Sequence, residues 1–514
     1  MTEIAQEPIP FAMLKAAVLI ALQGFMYGYF FNSLNGCIVT GSSGTGSDCY
    51  HHLEDCPKGT VYYDINISKT EVQVASGLVV AGGWIGCMVG SYPAESRGRK
   101  WTILWNNVFF IIGAALSAVG NFPCLLIGRF IAGLGVGIST VAPPVLLSEL
   151  ASTANRGVIT TAFQGLLTFG IVVASVLSYG FVENVTHGWQ YIQAFAAIPA
   201  LLIIIFQNHF PESPKWLLSQ DSSDATRAEA VKILTALRPE GHNVEEEVDA
   251  MVNEAKKDAE SDASWAEVFT WRKAVLIGCG LMFFQAATGI NSVVFYSSTI
   301  FQLAGFDQSI IGTVCWTVLN CFMTYVSAKL VDRSGRKTLL QSGTLVMLAA
   351  LLVLCIVLLS SIDDTVQGVI AVIAVLFFVA GFAIGLGAVV WTIISEIMPT
   401  RLRSKAVSLF LSINWAINLI ITLVTLTAIN GMGHVTDDMD DDNKKEDGQK
   451  VGVAALYLIF AGLSAACITF IYFLVPETKG DFDLVAWSSN DIKTNKTERS
   501  GSEIGGYQIV SSSV

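Results

Sequence analysis

The chain has few charged residues. Asp, Glu, Lys and Arg together make up 14% of its 514 residues, whereas soluble domains carry about 25%. Hydrophobic residues account for 53% of the sequence, and the mean hydropathy is +0.57. So little charge excludes an ordinary soluble domain and indicates a protein embedded in a lipid bilayer.

The sequence also lacks the patterns of catalytic and metal sites. It contains no glycine-rich phosphate loop with its lysine, no zinc-type spacing, and no CxxC pair among its ten cysteines. None of its six histidines stands near a candidate nucleophile. Much of the net charge of −12 lies in two aqueous segments and indicates no nucleic-acid partner. We therefore expect no enzyme activity, no cofactor and no metal site, and no ATP-driven pumping by this chain alone.

Twelve apolar runs are long enough to cross about 30 Å of hydrocarbon, which takes roughly 20 helical residues. They cover residues 11–36, 72–93, 101–120, 124–147, 158–180, 189–207, 273–302, 309–331, 338–360, 367–394, 404–429 and 451–475. No cleavable secretory signal precedes the first run, so we expect it to be a retained span. The prediction is an all-α membrane protein with twelve transmembrane helices.

A polar gap divides these runs into two groups of six. We expect an N-terminal six-helix bundle over 1–207, a cytoplasmic helical linker over 208–270 and a C-terminal six-helix bundle over 271–480. Within the linker, apolar residues recur at helical spacing over 225–237, which suits a short amphipathic helix at the membrane surface. The tail, 481–514, is polar and has no periodicity, so we expect it to be disordered.

Three charged motifs occur twice in the same order, once in each half. They are Glu95-Ser-Arg-Gly98-Arg99-Lys100 and Asp332-Arg-Ser-Gly335-Arg336-Lys337; Ser148-Glu149 before Arg156 and Ser395-Glu396 before Arg403; and Pro211-Glu212-Ser213 and Pro476-Glu477-Thr478. The chain is therefore two copies of one six-helix unit. Internal repeats of this kind are typical of transporters, in which two pseudosymmetric halves surround one site.

The basic residues of these motifs all fall on one side of the membrane if the spans alternate. The positive-inside rule makes that side cytoplasmic, together with both termini. We hypothesise that the motif charges form a conformational latch of ion pairs, which ties the halves together when the site faces outward and breaks when it faces inward. Its candidates are Arg97, Arg99, Glu149, Arg156, Asp332, Arg336, Glu396 and Arg403. The alternative is that these charges only fix the topology.

The loops on the opposite side carry two glycosylation sequons, which begin at Asn66 and Asn184, and two cysteines, Cys49 and Cys56. In this topology both sequons lie outside the cell, which agrees with a plasma-membrane or other secretory-pathway location. A disulfide between the two cysteines is compatible with an oxidising compartment. The sequence leaves both modifications open.

The seventh span contains uncharged polar residues, which are costly in hydrocarbon unless they are paired or functional. Gln285, Thr288 and Asn291 surround Gly289. Six residues turn a regular helix by about 240°, so Gln285 and Asn291 share no face unless the helix breaks. We therefore predict a break at Gly289 that brings the two amides together beside a cavity.

Further polar residues lie in four other spans. Amides donate and accept hydrogen bonds, which suits hydroxyl groups, and an indole offers an apolar face to C–H groups. Asn418 lies one helical turn after Asn414, on the same face. Together they predict a sugar or polyol site that consists of Gln164, Gln285, Asn291, Asn320, Trp391 and Asn414. The alternative is that each amide only joins two helices.

Taken in order, these motifs resemble the sugar porter branch of the major facilitator superfamily, which includes the facilitative glucose transporters. The resemblance covers residues from about 11 to 480 and includes the repeated motifs, Gly128-Arg129, Gln285 to Asn291, Trp391 to Glu396 and Asn414-Trp415. It implies two pseudosymmetric bundles, a cytoplasmic helical insert and a hexose bound midway between the halves. By motif position, the sugar-contacting residues of the family fall on the same six residues. We expect the protein to act as a monomer.

The chain departs from the family pattern in the seventh and tenth spans. Ala286 replaces the second of two adjacent glutamines, and Ala383 stands where some relatives have an acidic residue. The tenth span has Ala388 and Val390 in place of the two prolines of the family. We therefore do not expect a strict preference for glucose.

The first span lacks the aspartate that proton-coupled members of the family have, and reads Gly28-Tyr29-Phe30. No Asp or Glu lies in the interior of any predicted span, and a symporter needs a carboxylate that titrates beside the substrate path. We therefore expect facilitative (uniport) transport of a hexose such as glucose by alternating access. Proton-coupled sugar or polyol symport is the alternative. A non-transporting sugar sensor is a third, which the short tail after Gly480 disfavours.

Overall fold

The computed structural model describes residues 8–38, 58–65, 67, 69–152, 155–182, 184–221, 223–260, 265–303, 309–360, 362–435 and 442–478. Over these ranges the protein is helical and has no β-strand. The helices of the first half are α1 (Phe11–Asn32), α2 (Val61–Asp64), α3 (Lys69–Ser96), α4 (Arg99–Ser117), α5 (Phe122–Ser139), α6 (Ala142–Leu150), α7 (Arg156–Phe181), α8 (Gly188–Phe195) and α9 (Ala197–Ile205). A 3-10 turn, Asn35–Ile38, follows α1.

The predicted linker and second half are helical as well. The linker contains a 3-10 turn, Gln207–His209, and helices α10 (Pro214–Gln220), α11 (Asp224–Leu237), α12 (Val244–Glu260) and α13 (Trp265–Val268). The second half contains α14 (Arg272–Ala287), α15 (Ile290–Leu303), α16 (Ser309–Ser334), α17 (Arg336–Leu358), α18 (Asp364–Phe382), a π-helical turn (Ala383–Gly387), α19 (Val389–Glu396), α20 (Thr400–Met432) and α21 (Asp442–Leu474).

Eleven segments of the described chain are long and apolar enough to cross a membrane. They coincide with eleven of the twelve predicted runs. The remaining run, 101–120, forms α4, which is 19 residues long but is not among the eleven. This helix carries Asn106 and Asn107, which lower its hydropathy. Both are buried: Nδ2 of Asn106 donates to Oε1 of Gln23 in α1 at 2.7 Å, and Oδ1 of Asn107 accepts from Nε2 of Gln23 at 2.9 Å. These bonds join α4 to α1 inside the bundle.

Small residues allow the helices within each half to approach closely. A Cβ added to Gly137 of α5 would lie 2.1 Å from the carbonyl oxygen of Gly83 in α3. A Cβ on Gly28 of α1 would lie 1.9 Å from the carbonyl oxygen of Leu167 in α7. Backbone contact of this kind is typical of membrane helices, which gain van der Waals packing where side chains are absent.

One buried arginine attaches the linker to the first half. The amphipathic pattern over 225–237 forms α11, and Arg238 follows it directly. Nη1 of Arg238 donates to the carbonyl oxygen of Leu150 at 2.8 Å, and its other nitrogens bond both oxygens of Glu247 at 2.8 and 2.6 Å. Burial alone would raise the pKa of Glu247, but the hydrogen bonds and charge of Arg238 lower it overall. The linker is therefore held at the end of α6, beside Glu149.

Candidate functional site

The motif side is the side of the bundle where Gly98, Glu149, Gly335 and Glu396 lie, and the far side is the opposite one. On the far side the two halves are in contact. Nδ2 of Asn35 donates to Oγ of Ser297 at 2.8 Å, and Oγ of Ser298 lies 2.7 Å from Oδ1 of the same asparagine. All three residues are buried.

Two further contacts join the halves on the far side. The side chains of Gln73 in α3 and Thr427 in α20 are hydrogen-bonded at 2.9 Å. The rings of Phe31 and Phe295 lie 5.2 Å apart. Together with the asparagine contact, these interactions close the interface between the halves at this end of the bundle.

On the motif side, the repeated charges form one ion pair in each half. Arg99 contacts Glu149 at 3.1 Å, and Arg336 contacts Glu396 at 3.2 Å. Each pair connects the helix after the glycine of its motif with the end of another helix in the same half. The four residues thus occupy matching places in the two copies of the unit.

The remaining latch candidates are placed differently. Arg97 is exposed, with its guanidinium 5.0 Å from the centre of the Trp101 ring, and Arg156 is exposed at the start of α7. Arg403 is half-buried in α20 and has Glu396 as an opposite charge nearby. The side chain of Asp332 lies outside the described residues.

Sequence reasoning missed the function of the third repeated motif. Oε1 of Glu212 accepts the backbone N–H groups of Arg99 and Lys100 at 2.9 and 3.0 Å, at the first turn of α4. Gly98, which precedes that turn, has a φ of +104°, and a Cβ there would lie 2.3 Å from Oε2 of Glu212. The glycine is therefore required both by its backbone conformation and by the close carboxylate.

The second half repeats this arrangement. Glu477 accepts the N–H groups of Arg336 and Lys337 at 2.9 and 3.1 Å, and Gly335 has a φ of +86°. The signal was present in the sequence, because both glutamates occur in the repeated Pro-Glu-Ser/Thr motif. What the sequence does not show is that this motif folds back onto a helix start more than 100 residues away.

The seventh span breaks where the sequence predicts it. Helix α14 ends at Ala287, α15 begins at Ile290, and Gly289 between them has a φ of +92°. A Cβ at Gly289 would lie 2.3 Å from Cδ2 of Phe460, so only glycine fits this corner. Arg272 to Ser298 nevertheless counts as one membrane span, so the break lies inside it.

The break brings four amides into one hydrogen-bonded chain, which we call the amide chain: Gln285, Asn414, Asn418 and Asn291. Nδ2 of Asn414 donates to Oε1 of Gln285 at 3.0 Å, and Nδ2 of Asn418 donates to Oδ1 of Asn414 at 2.9 Å. Nδ2 of Asn291 donates to Oδ1 of Asn418. All four are between 6% and 9% exposed. Asn418, which was not among the predicted site residues, joins Asn291 to the rest.

The amide chain is also tied to the backbone of neighbouring helices. Nε2 of Gln285 donates to the carbonyl oxygen of Leu386 in the π-helical turn at 2.8 Å. Nδ2 of Asn414 donates to the carbonyl oxygen of Met282 at 3.0 Å. The amides thus connect spans seven, ten and eleven, and every side chain in the group is neutral.

The structure does not join the other three predicted site residues to this chain. Gln164 in α7 and Asn320 in α16 are half-buried, and Trp391 in α19 is 38% exposed. Helices α7 and α16 belong to different halves but pack against each other. Within the described part of the chain, the Gln164 and Asn320 amides form no hydrogen bond to Gln285, Asn291 or Asn414.

A buried arginine in α5 contacts the end of the first span. Arg129 is fully buried, and its Nη1 donates to the carbonyl oxygen of Phe30 at 2.9 Å and to Oγ of Ser33 at 3.1 Å. Phe30 itself packs on Phe110, with ring centres 5.6 Å apart. Among the described residues, Arg129 has no carboxylate in ion-pair contact.

Comparison with known proteins shows extended similarity. The family model described as "Sugar (and other) transporter" matches residues 16–483. The glucose transporter GlcP of Staphylococcus epidermidis is 30% identical over 494 residues, which cover 94% of this chain and 97% of that protein. The galactose-proton symporter of Escherichia coli is 29% identical and covers 80% of this chain and 84% of its own length.

Solved structures agree in fold. The inward-open xylose transporter XylE of E. coli superposes with a TM-score of 0.70 at 23% identity, and the alignment covers 92% of this chain and 99% of XylE. At this identity the likeness concerns the fold alone. It confirms the predicted helical architecture of a major facilitator protein, and the family match confirms that the chain is a transporter rather than an enzyme. The chain belongs to the sugar (and other) transporter family.

Proposed function

We propose that the protein carries a neutral sugar across the membrane by alternating access, as a uniporter, with a hexose such as glucose as the first candidate. The amide chain is the observation that supports this most directly. Four buried carboxamides supply donors and acceptors around a broken helix, and no carboxylate is bonded to them in the described part of the chain. Such a set suits the hydroxyl groups of an uncharged sugar.

The six predicted residues form the proposed site, with Asn418 added. Gln285, Asn291 and Asn414 come from the second half, and we place Gln164 across the interface from Asn320. Trp391 supplies an apolar face for the sugar ring. The similarity to a glucose transporter supports a hexose, whereas the 29% identity to putative polyol transporter 1 of Arabidopsis thaliana keeps a polyol as an alternative.

Proton-coupled symport is the second candidate, because one relative is named a galactose-proton symporter. Phe30 and the surroundings of Arg129 favour uniport instead. The buried guanidinium of Arg129 binds a backbone carbonyl oxygen and a hydroxyl group rather than a carboxylate. A carboxylate beside it would be needed to take up and release the coupled proton.

Reconstitution into liposomes tests both proposals. Labelled hexoses, pentoses and polyols are offered with and without a pH gradient. We expect at least one hexose to equilibrate without accumulating and without moving protons. Accumulation driven by an inward proton gradient, or a sugar-induced pH change, would establish symport, and no flux of any sugar would refute the proposed function.

Two variants connect transport with the amide chain. Asn291→Ala and Asn418→Ala each remove one member, so we expect the KM to rise about ten-fold, the equivalent of roughly 1.4 kcal/mol of lost binding. Asn184→Ala removes an exposed amide on the far side and is the matched control. Unchanged KM values in both site variants would mean that these amides only join helices.

We also propose a plasma-membrane location with both termini in the cytoplasm, a monomeric carrier and glycosylation at Asn184. That residue is exposed next to the end of α7. Asn66, Cys49 and Cys56 lie outside the described residues. A loss of mass after N-glycosidase treatment that Asn184→Ala abolishes would support the glycosylation, and labelling of an N-terminal tag only in permeabilised cells would support the orientation.

A further inference from the structure

A glutamine of the first half binds the backbone of a helix in the second half. Gln73 lies near the start of α3 and is 3% exposed. With its carboxamide oriented so that both ends are bonded, Oε1 accepts the backbone N–H groups of Leu426 and Thr427 in α20 at 2.9 and 2.8 Å. Nε2 then donates to Oγ1 of Thr427 at 2.9 Å. One side chain thus makes three hydrogen bonds across the interface between the halves.

The two N–H groups lie inside a helix, where the backbone ordinarily bonds to itself. In a regular α-helix the N–H group of Leu426 would donate to the carbonyl oxygen of Thr422. That oxygen also accepts the hydroxyl group of Tyr296 in α15 at 2.8 Å. Gln73 of the first half and Tyr296 of the second half therefore bind the donor and the acceptor of the same turn of α20.

This turn of α20 is connected to the amide chain. Oγ1 of Thr422 donates to the carbonyl oxygen of Asn418, one turn earlier in the helix, at 2.8 Å. Thr422 is fully buried. Asn418 in turn joins Asn291 to Asn414 through its own side chain. A displacement of the turn at Thr422 consequently changes the position of an amide that belongs to the proposed site.

Farther along, the contact between α3 and α20 is apolar at two close points. A Cβ on Gly77 would lie 2.5 Å from Cδ2 of Leu423, and a Cβ on Gly83 would lie 2.5 Å from Cη2 of Trp415. Apolar contacts of this kind allow two helices to separate without leaving hydrogen-bonding groups unpaired. The contact at Gln73 differs, because its loss leaves a carboxamide and its partners without these bonds. Gln73 therefore contributes a directional, polar part of the contact.

We propose that Gln73 is a positioning residue, which holds α20 against the first half while the far side is closed and thereby fixes Asn418 in the amide chain. When the far side opens, α3 moves away from α20, and the turn between Thr422 and Thr427 loses its three bonds to Gln73. The affinity of the amide chain for sugar then differs between the two conformations. This inference rests on the proposed alternating access, but not on the identity of the sugar.

Distances between spin labels at the far-side ends of α3 and α20 test the inference, in the full-length protein in lipid nanodiscs without sugar. Gln73→Leu removes all three hydrogen bonds with little change of volume, so we expect the population with an open far side to rise about ten-fold. Gln73→Glu retains acceptors for the two N–H groups and for the hydroxyl group of Thr427. We therefore expect its distances to resemble those of the wild type.

Gln367→Leu is the matched control. Gln367 is also a buried glutamine with 3% exposure, but its Nε2 donates to the carbonyl oxygens of Val357 and Leu358 within the second half, at 2.8 and 3.2 Å. Its replacement should leave the distances unchanged. Unchanged distances in Gln73→Leu overturn the proposal, and so does an equal shift in Gln367→Leu or in Gln73→Glu.

Transport in the two directions separates a positioning role from a loss of stability. In liposomes that contain the carrier in one orientation, Gln73→Leu should lower the KM for entry from the far side and raise the KM for exit from the motif side, each about three-fold. A variant that is only less stable has less active carrier and a lower maximal rate, and unchanged KM values in both directions would overturn the positioning role. If no sugar is carried, the proposed function fails, but the distances without sugar still decide whether Gln73 holds the halves together.

Discussion

Glu212 and Arg99 are bonded through the backbone: the carboxylate accepts the N–H group of Arg99 at 2.9 Å, at the start of α4. Glu477 accepts the N–H group of Arg336 at the same distance in the second half. Each carboxylate caps a helix whose first side chain then reaches an acidic partner, Glu149 or Glu396. The three repeated motifs of each half are therefore one connected network.

Neutralising these caps should lower stability. In Glu212→Gln the side chain keeps one acceptor but loses its charge at a helix N-terminus, so we expect a loss of about 1–2 kcal/mol in the free energy of unfolding. We expect a loss of the same size in Glu477→Gln. Because the two sites lie in different halves, the double variant should lose about the sum.

Thermal unfolding in detergent measures these losses, with Glu240→Gln in the exposed linker as the control. We expect the wild type and the control to unfold at the same, highest temperature. The two single variants should unfold at lower temperatures, and the double variant at the lowest. A single variant as stable as the control would show that the carboxylate adds nothing to the backbone contacts. A double variant no worse than either single one would show that the two caps are not independent.

The latch hypothesis predicts a change of conformational balance. In this conformation Glu396 pairs within its own half, with Arg336, while the halves are in contact on the far side. If Glu396 gains partners from the first half when the motif side closes, Glu396→Gln should destabilise that closed state selectively. Exposed pairs are worth only about 0 to 1 kcal/mol each, so we expect a shift of about three- to five-fold in population.

Distances between spin labels at the motif-side ends of the two halves measure that shift. Arg97→Gln is the second variant, since Arg97 is a latch candidate that rests on Trp101 in this conformation. If both variants leave the distance distributions and the kinetics of sugar exchange unchanged, the latch hypothesis is wrong. Those charges would then only fix the topology.

The sequence predicts the architecture well because the lengths of the apolar runs and the repeated motifs can be read directly from the order of the residues. It predicts a span over 101–120, which forms α4, but it does not show that Asn106 and Asn107 of this helix hydrogen-bond to Gln23 of another helix. It predicts the break at Gly289 because Gln285 and Asn291 can face the same cavity only if the helix is interrupted between them. It does not reveal the π turn, because Ala383–Gly387 contains no proline, and a π turn stabilised by Gln285 and Ser327 depends on contacts between distant spans.

The corner at Gly289 should not tolerate a side chain. Gly289→Ala places a Cβ at a φ of +92° and within 2.3 Å of Phe460, and backbone strain of this kind costs about 1–3 kcal/mol before the clash is counted. We expect sugar transport to fall at least ten-fold, because the amides on either side of the corner would separate. The measurement is uptake into liposomes at matched protein density.

Gly165→Ala is the matched control, since a Cβ there meets nothing within 4 Å. Adding Phe460→Leu to Gly289→Ala relieves the contact with the ring but not the backbone strain, so it should restore stability in part and transport hardly at all. Wild-type transport by Gly289→Ala would mean that the break is not needed for the site.

The buried pair of Phe30 and Arg129 allows a gain-of-function test of the coupling mode. Nη1 of Arg129 already contacts the Phe30 backbone at 2.9 Å, so Phe30→Asp would bring a carboxyl group within reach of the guanidinium, inside the first half. A carboxyl group at this position can exchange a proton while the carrier changes conformation, which the neutral ring cannot do. We expect sugar flux in Phe30→Asp to depend on pH and to respond to a proton gradient.

Phe30→Asn is the control, because it removes the ring without adding a group that can carry a charge. Both variants lose the buried ring that stacks on Phe110, which should cost about 3–5 kcal/mol of stability, but only the aspartate can titrate. Flux that is insensitive to pH in the wild type and in Phe30→Asn, and sensitive in Phe30→Asp, would show that the missing carboxylate is what makes this carrier a uniporter. Pronounced pH dependence already in the wild type would instead indicate that protons are coupled through another group, and uniport would be wrong.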